Sequence, residues 1–209
     1  MQMMPYMNPV KLNLNQHVVE GFFQTMVVIL VFLVPLLTMR VVAEDKRRGT
    51  FELLITSPLS IFELVVGKFL ALAVILGIML LLVLFFPMLL VVYGDPGPEL
   101  GPILSGWFGV FLCSLGFAAI GMATSSLTEN QIVAGVSSMV VLLLLYVIQA
   151  PAQSAGGMTS EILKYLSPIE QLQDPLKGII SLKSMVYFSS LIAFGVFLSQ
   201  RALEAHRWQ

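Results

Sequence analysis

Apolar residues fall in long unbroken blocks separated by polar stretches. Five blocks, residues 22–39, 69–92, 103–126, 132–148 and 184–200, contain no Asp, Glu, Lys or Arg. A helix needs about 20 apolar residues to cross the hydrocarbon layer of a bilayer, within about 17 to 25. Each block therefore predicts one membrane-spanning helix, and the chain an all-α, polytopic bundle with five visible spans. Pro35 and Pro87 fall inside spans, where neighbouring helices tolerate them and a bend is expected. Small residues four apart in the third block, Ala119/Ala123 and Gly121/Ser125, suit close helix packing.

Composition agrees with the pattern. Of 209 residues, 57% are hydrophobic and 11% charged, against about 25% charged in a soluble domain; the mean hydropathy is +0.91. The net charge of −1 gives no sign of a nucleic-acid partner. Cys113 is the one cysteine, which excludes an intrachain disulfide; inside an apolar block it reads as a small buried thiol. The first twenty residues show no apolar core behind a basic end, so no cleavable signal peptide is read there.

Orientation follows from basic residues in the short flanks of the spans. Arg40, Lys46, Arg47, Arg48 and Lys68 bracket the first loop, and Arg201 and Arg207 follow the last span, whereas loop 93–102 has two acids and no base. The first loop and the C-terminus are therefore expected in the cytoplasm, and the segment 151–183 outside. An odd number of spans then puts the N-terminus outside. Residues 1–21 read as an outer loop, and an earlier span is expected before them.

The cytoplasmic stretch 40–60 carries the most local information. Arg40/Glu44 and Glu44/Arg48 are spaced i,i+4, which favours continuation of the first helix to Arg48, about 13 Å beyond Met39 at 1.5 Å per residue. Gly49 is a helix terminator and Thr50 a cap for a new helix. Phe51, Leu54 and Ile55 then share one face while Glu52 points elsewhere, and Pro58 ends the turn. Ser60 and Glu63 form a capping box for the helix entering the second span, where Lys68 is placed to snorkel to headgroups. A two-turn amphipathic helix is unstable alone, so lipid, the chain's own helices or a cytoplasmic partner must cover its apolar face. Elsewhere, Thr128 and Gln131 are spaced as a capping box for the fourth span. In the outer segment Ser167, Pro168 and Glu170 mark a helix start, and Asp174–Pro175 repeats the signal, predicting two short broken helices.

"LTMRVVAEDKRRGTFELLITSPLS" resembles the first cytoplasmic loop of ABC-2 type transporter permeases, especially a subgroup associated with gliding motility in which "EEKRxGTxELLLTSP" recurs. "VVGKFLA", "SSLTENQIVAG" and "YLSPIEQLQDPLKGIISLKSMVYF" fit the same family in order and spacing. The resemblance covers nearly the whole chain, 1–209, as one permease domain. It implies a bacterial inner-membrane subunit that works in the export direction using ATP hydrolysed by a separate ATPase subunit, and the apolar composition suits an amphipathic or lipid-like substrate. In such permeases the helix after the glycine is a coupling helix docked on the ATPase. By position Glu44, Lys46, Arg47, Arg48, Gly49, Thr50, Phe51, Glu52, Leu53, Leu54 and Ile55 would form that contact, joined by Glu129 of the second cytoplasmic loop, 128–131. Complete members have six spans, so the first is the one not seen here. The resemblance also implies a second permease chain, identical or not, leaves room for an extracytoplasmic accessory protein, and suggests that the broken outer helices dip into the outer leaflet.

Several chemistries find no support in the residues. The Gly67–Lys68 pair lacks the rest of a phosphate-binding loop, so ATP and Mg belong to a partner chain and no cofactor is expected in this one. His17 and His206 have no ligand partners at useful spacing, and Met1, Met3, Met4 and Met7 read as a loop rather than a soft-metal site. Spans without Asp, Glu, Lys or Arg argue against a proton- or sodium-coupled carrier and against an intramembrane hydrolase. The chain reads as a non-catalytic permease subunit; the other reading is a mechanical adaptor that passes ATPase work to envelope proteins without moving a solute.

Overall fold

The computed structural model describes residues 18–49, 60–94, 97–154 and 156–207. Among them run nine helices and no strand: α1 (Glu20–Thr38), α2 (Ala43–Arg47), α3 (Ile61–Tyr93), α4 (Leu100–Ser126), α5 (Gln131–Val147), α6 (Gln149–Ser154), α7 (Met158–Leu166), α8 (Pro168–Leu176) and α9 (Leu182–Arg207). Five stretches are long and apolar enough to cross a membrane, Glu20–Arg47, Ile61–Tyr93, Leu100–Ser126, Gln131–Pro151 and Leu182–Ala205. Each sits on one of the five apolar blocks, so the polytopic helix bundle expected from the pattern is the fold. Arg40–Gly49, the start of α3 and the ends of α4 and α9 share one end of the bundle, called the basic end below; α6, α7 and α8 lie at the opposite end.

α4 is the axis. It is the most enclosed of the spans and packs against α1, α3, α5, α8 and α9. Within a bilayer apolar side chains gain little by leaving lipid for protein, so close backbone approach and van der Waals fit hold helices together. The glycines of α4 permit that approach. A Cβ on Gly106 would meet the Phe23 ring of α1 at 2.9 Å, one on Gly109 the Pro175 Cβ of α8 at 2.6 Å, and one on Gly116 the Leu191 Cδ2 of α9 at 2.8 Å. On α9, a Cβ on Gly195 would lie 2.6 Å from the backbone carbonyl carbon of Ala119. Leu191 against Gly116 and Gly195 against Ala119 show that α4 and α9 run parallel. α3 and α5 are far more open, with Leu70, Ile78, Leu82, Phe85 and Phe86 of α3 exposed along its length. Those faces suit lipid or another apolar protein surface.

The helix starts show which local signals act. Glu63 N–H donates to Ser60 Oγ (3.2 Å) and Ser60 N–H to Glu63 Oε2 (2.8 Å), the predicted capping box. The fourth span departs from expectation. Asn130, rather than Thr128, is its N-cap: Ile132 N–H donates to Asn130 Oδ1 (3.0 Å), while Thr128 Oγ1 accepts from Asn130 N–H (3.2 Å) and only shapes the turn before it.

The opposite end also corrects the sequence reading. Ser167 caps α8 with Pro168 in the first turn, as predicted. Asp174–Pro175, however, starts no second helix; both residues lie inside α8. Proline there removes the N–H that Gln171 O would accept, and Ser184 Oγ of α9 supplies the missing donor at 2.6 Å. Ser105 Oγ of α4 donates to Pro175 O at 2.7 Å, and Tyr187 Oη of α9 to Leu166 O at 2.8 Å. The second short helix of this segment is instead α7, which precedes α8. Three hydroxyls thus fasten the end of α7 and the whole of α8 to α4 and α9.

Candidate functional site

The residues singled out by the sequence gather around α2 at the basic end. α1 stops at Thr38, and residues 39–42 form turns before α2 begins. Continuation as one straight helix to Arg48 is therefore not what occurs. Val42 has φ −122°, ψ −42°, outside helical geometry, and the amides of Val42 and Ala43 turn to a side chain instead of the preceding turn. Both donate to Ser125 Oγ of α4, at 3.2 and 3.1 Å, and Ser125 Oγ donates in turn to Met39 O at 3.2 Å. Ser125, Val42 and Ala43 are all buried. One hydroxyl therefore serves three backbone groups at the break, which would otherwise be orphans in an apolar setting.

Charged groups tie α2 to its surroundings. Lys68, on the second turn of α3, folds back rather than reaching outward: its Nζ pairs with the Asp45 carboxylate and donates to Val41 O at 2.6 Å. The snorkelling expected of Lys68 is absent because a nearer acceptor pair is present. Both side chains of this bridge keep about a quarter of their surface exposed (23% and 26%), so it is neither fully screened nor fully desolvated. Lys46 Nζ donates to Ser126 O, the end of α4, at 2.7 Å; such a cation answers the free carbonyls of a helix C-terminus. The Glu129 carboxylate acts on the same ammonium by charge. Glu44 and Arg48 form the predicted i,i+4 ion pair. Gly49 then closes α2 at φ +70°, the left-handed conformation that favours glycine at a helix end.

Of the residues assigned to the coupling contact, Glu44, Lys46, Arg47, Arg48, Gly49 and Glu129 are therefore brought together at one surface. Arg47, Arg48, Gly49 and Glu129 are exposed on it. Thr50, Phe51, Glu52, Leu53, Leu54 and Ile55 lie outside the described residues. Sequence reasoning missed Asp45, Ser125 and Ser126 as parts of this assembly and misread Lys68. Asp45 and Lys68 are separated by a span boundary, and no helical period links them. Ser125 was visible only as a small residue.

Among the described residues no three His, Cys, Asp or Glu side chains are grouped as metal ligands would be. A second small site lies at the opposite end: a pocket of about 100 Å³ lined by Gln24 and Val27 of α1, Tyr146 of α5, Gln149 of α6, and Ile169, Leu172 and Leu176 of α8.

Among the described residues, a helical bundle with five candidate membrane spans and a charged, hydrogen-bonded knob on one end defines a multi-pass membrane protein. The family model described as ABC-2 family transporter protein matches residues 3–202, nearly the whole chain, and the chain belongs to that family. It is a transmembrane permease subunit of an ATP-binding cassette transporter, a family whose members work with an ABC ATPase. No curated protein matches it.

Proposed function

We propose that the basic end faces the cytoplasm of a bacterial inner membrane and that α2, with the stretch following Gly49, is the docking point of the ATPase subunit. The observation that supports this most is the wiring of α2. Lys68 joins it to α3, Ser125 and Lys46 join it to α4, and residues 39–42 join it to α1. A displacement of α2 by a closing ATPase is thus delivered to three spans at once. Two permease chains would enclose a path between them, and closure of the ATPases would tilt the spans and move an amphipathic substrate outward. The exposed apolar faces of α3 and α5 provide surface for a second chain and for lipid.

Phe51→Asp tests the docking role at a position outside the described residues. The variant is expected in the membrane at normal abundance, with co-purification of the ATPase lowered at least tenfold. Full recruitment of the ATPase by Phe51→Asp would overturn the assignment. A permease that recruits the ATPase, yet whose ATPase responds only to an envelope protein and never to a solute, would replace transport with force transmission.

A further inference from the structure

The pocket at the end opposite the basic end is unlike the rest of the bundle. Its lining joins four apolar residues, Val27, Ile169, Leu172 and Leu176, with two carboxamide residues and a tyrosine, Gln24, Gln149 and Tyr146. Gln24 stands within the first apolar block, where it is exposed, and Tyr146 within the fourth. Among the described residues that line the pocket, none is charged. Small-molecule sites characteristically join apolar walls to a few convergent polar groups, and whole drug-sized ligands need about 300 Å³ or more. At about 100 Å³ this pocket accommodates one group of a larger molecule, with the remainder outside.

Chemistry narrows which group. A strongly held anion calls for Lys or Arg and a strongly held cation for a carboxylate, and none of these is among the described lining residues. Carboxamide and phenol groups each donate and accept, as does an alcohol, so a hydroxyl-bearing group can satisfy all of them without charge. We propose that this pocket binds the uncharged, hydroxylated head (a polyol or glycosyl group) of an amphipathic molecule whose apolar part lies against the neighbouring helices. Its role as a contact for transported cargo at the outer side rests on the permease orientation proposed above; the binding itself does not.

The test uses the full chain in nanodiscs of zwitterionic lipid without ATPase, and radiolabelled hexyl β-glucoside below its micellar concentration, with empty discs subtracted. Saturable binding is expected, competed by unlabelled glucoside but not by hexyl sulfate or hexyltrimethylammonium. Gln24→Leu combined with Gln149→Leu should weaken it about tenfold, since each neutral hydrogen bond is worth about 0.5–1.5 kcal/mol and 1.4 kcal/mol is a factor of ten. Tyr146→Phe should weaken it about threefold. Absence of a saturable component, equal competition by the charged probes, or full affinity in the double variant would each overturn the proposal; the competition arm needs no variant. ATPase recruitment measured on the same preparation separates the two readings. Recruitment without glucoside binding removes the pocket alone, and glucoside binding without recruitment removes the docking assignment alone.

Discussion

Ser125→Ala isolates the break between α1 and α2. The substitution removes one oxygen and leaves three backbone groups without their partner: the buried amides of Val42 and Ala43 and the carbonyl of half-buried Met39. Val42 and Ala43 are 2% and 0% exposed, so water does not replace the hydroxyl. An unsatisfied buried polar group costs about 1–3 kcal/mol, which sets an upper bound of several kcal/mol for the set. Two effects reduce it. Interhelical hydrogen bonds inside membrane bundles average only about 0.6 kcal/mol, because unpaired groups find other partners. Here those partners are the carbonyls of Thr38 and Met39, which regular α-helical geometry would offer to the two amides. A net local loss of about 2 kcal/mol is expected, which accelerates hydrogen–deuterium exchange at Val42 and Ala43 about thirtyfold. Exchange measured by mass spectrometry on the nanodisc-embedded chain reads this directly. Ser105→Ala is the control, since its hydroxyl serves Pro175 O at the far end and should leave exchange at Val42 and Ala43 unchanged. Unaltered exchange at those amides in Ser125→Ala would refute the claim that this hydroxyl holds the break.

Lys68→Met should lower thermal stability by about 1 kcal/mol, discounted for the quarter of each side chain that water reaches, because Asp45 and Val41 O lose their shared cation. The exchanged pair Asp45→Lys with Lys68→Asp should recover part of the loss, and a thermal scan that cannot distinguish Lys68→Met from the parent would remove the bridge from the account. Gly195→Ala should cost about 3 kcal/mol or more, because the new Cβ meets the backbone of Ala119, which cannot move aside as a side chain can. Gly67→Ala on α3 meets nothing within 4 Å and should be neutral or stabilising by up to about 1 kcal/mol through helix propensity; equal yields of folded protein from the two variants would contradict the packing described for α4 and α9.

The spans were legible because hydrocarbon imposes length and charge exclusion on every one of them, and five blocks became five helices. Caps were legible where the cue is local and unrivalled, as at Ser60 with Glu63 and at Ser167. They were misread where two cues compete. Asn130 displaced Thr128 because it stands next to the first helical residue and its short carboxamide reaches the amide of Ile132. Asp174–Pro175 looks like a start until the Ser184 hydroxyl, ten residues downstream of Asp174, is known to take the carbonyl that proline leaves free. At the basic end the i,i+4 ion pair and the glycine stop were readable from Glu44, Arg48 and Gly49. The partners of Asp45, Lys46 and Val42 were not, since each lies on a different helix and only the packing of α1, α3 and α4 brings them within reach. The pocket at the opposite end was equally hidden: Gln24 stands more than a hundred residues before Tyr146 and Gln149.

The parallel seam between α4 and α9 governs how the bundle can be assembled. Parallel neighbours cannot be joined by a tight turn, so α5 and the three short helices α6, α7 and α8 must be made before α9 can reach its place. α9 also carries the least apolar of the five spans, and the glycine that lets it seat on Ala119 lies near its middle. Insertion and completion are therefore separate events. Before α9 is made, the spans of α1, α3, α4 and α5 can already be in the bilayer with the channel over Gly116 and Ala119 still vacant, and α8 still lacking the hydroxyls of Ser184 and Tyr187. α9 closes that channel and fastens the far end in the same step, so the earlier spans and α8 stay without this seam until it docks.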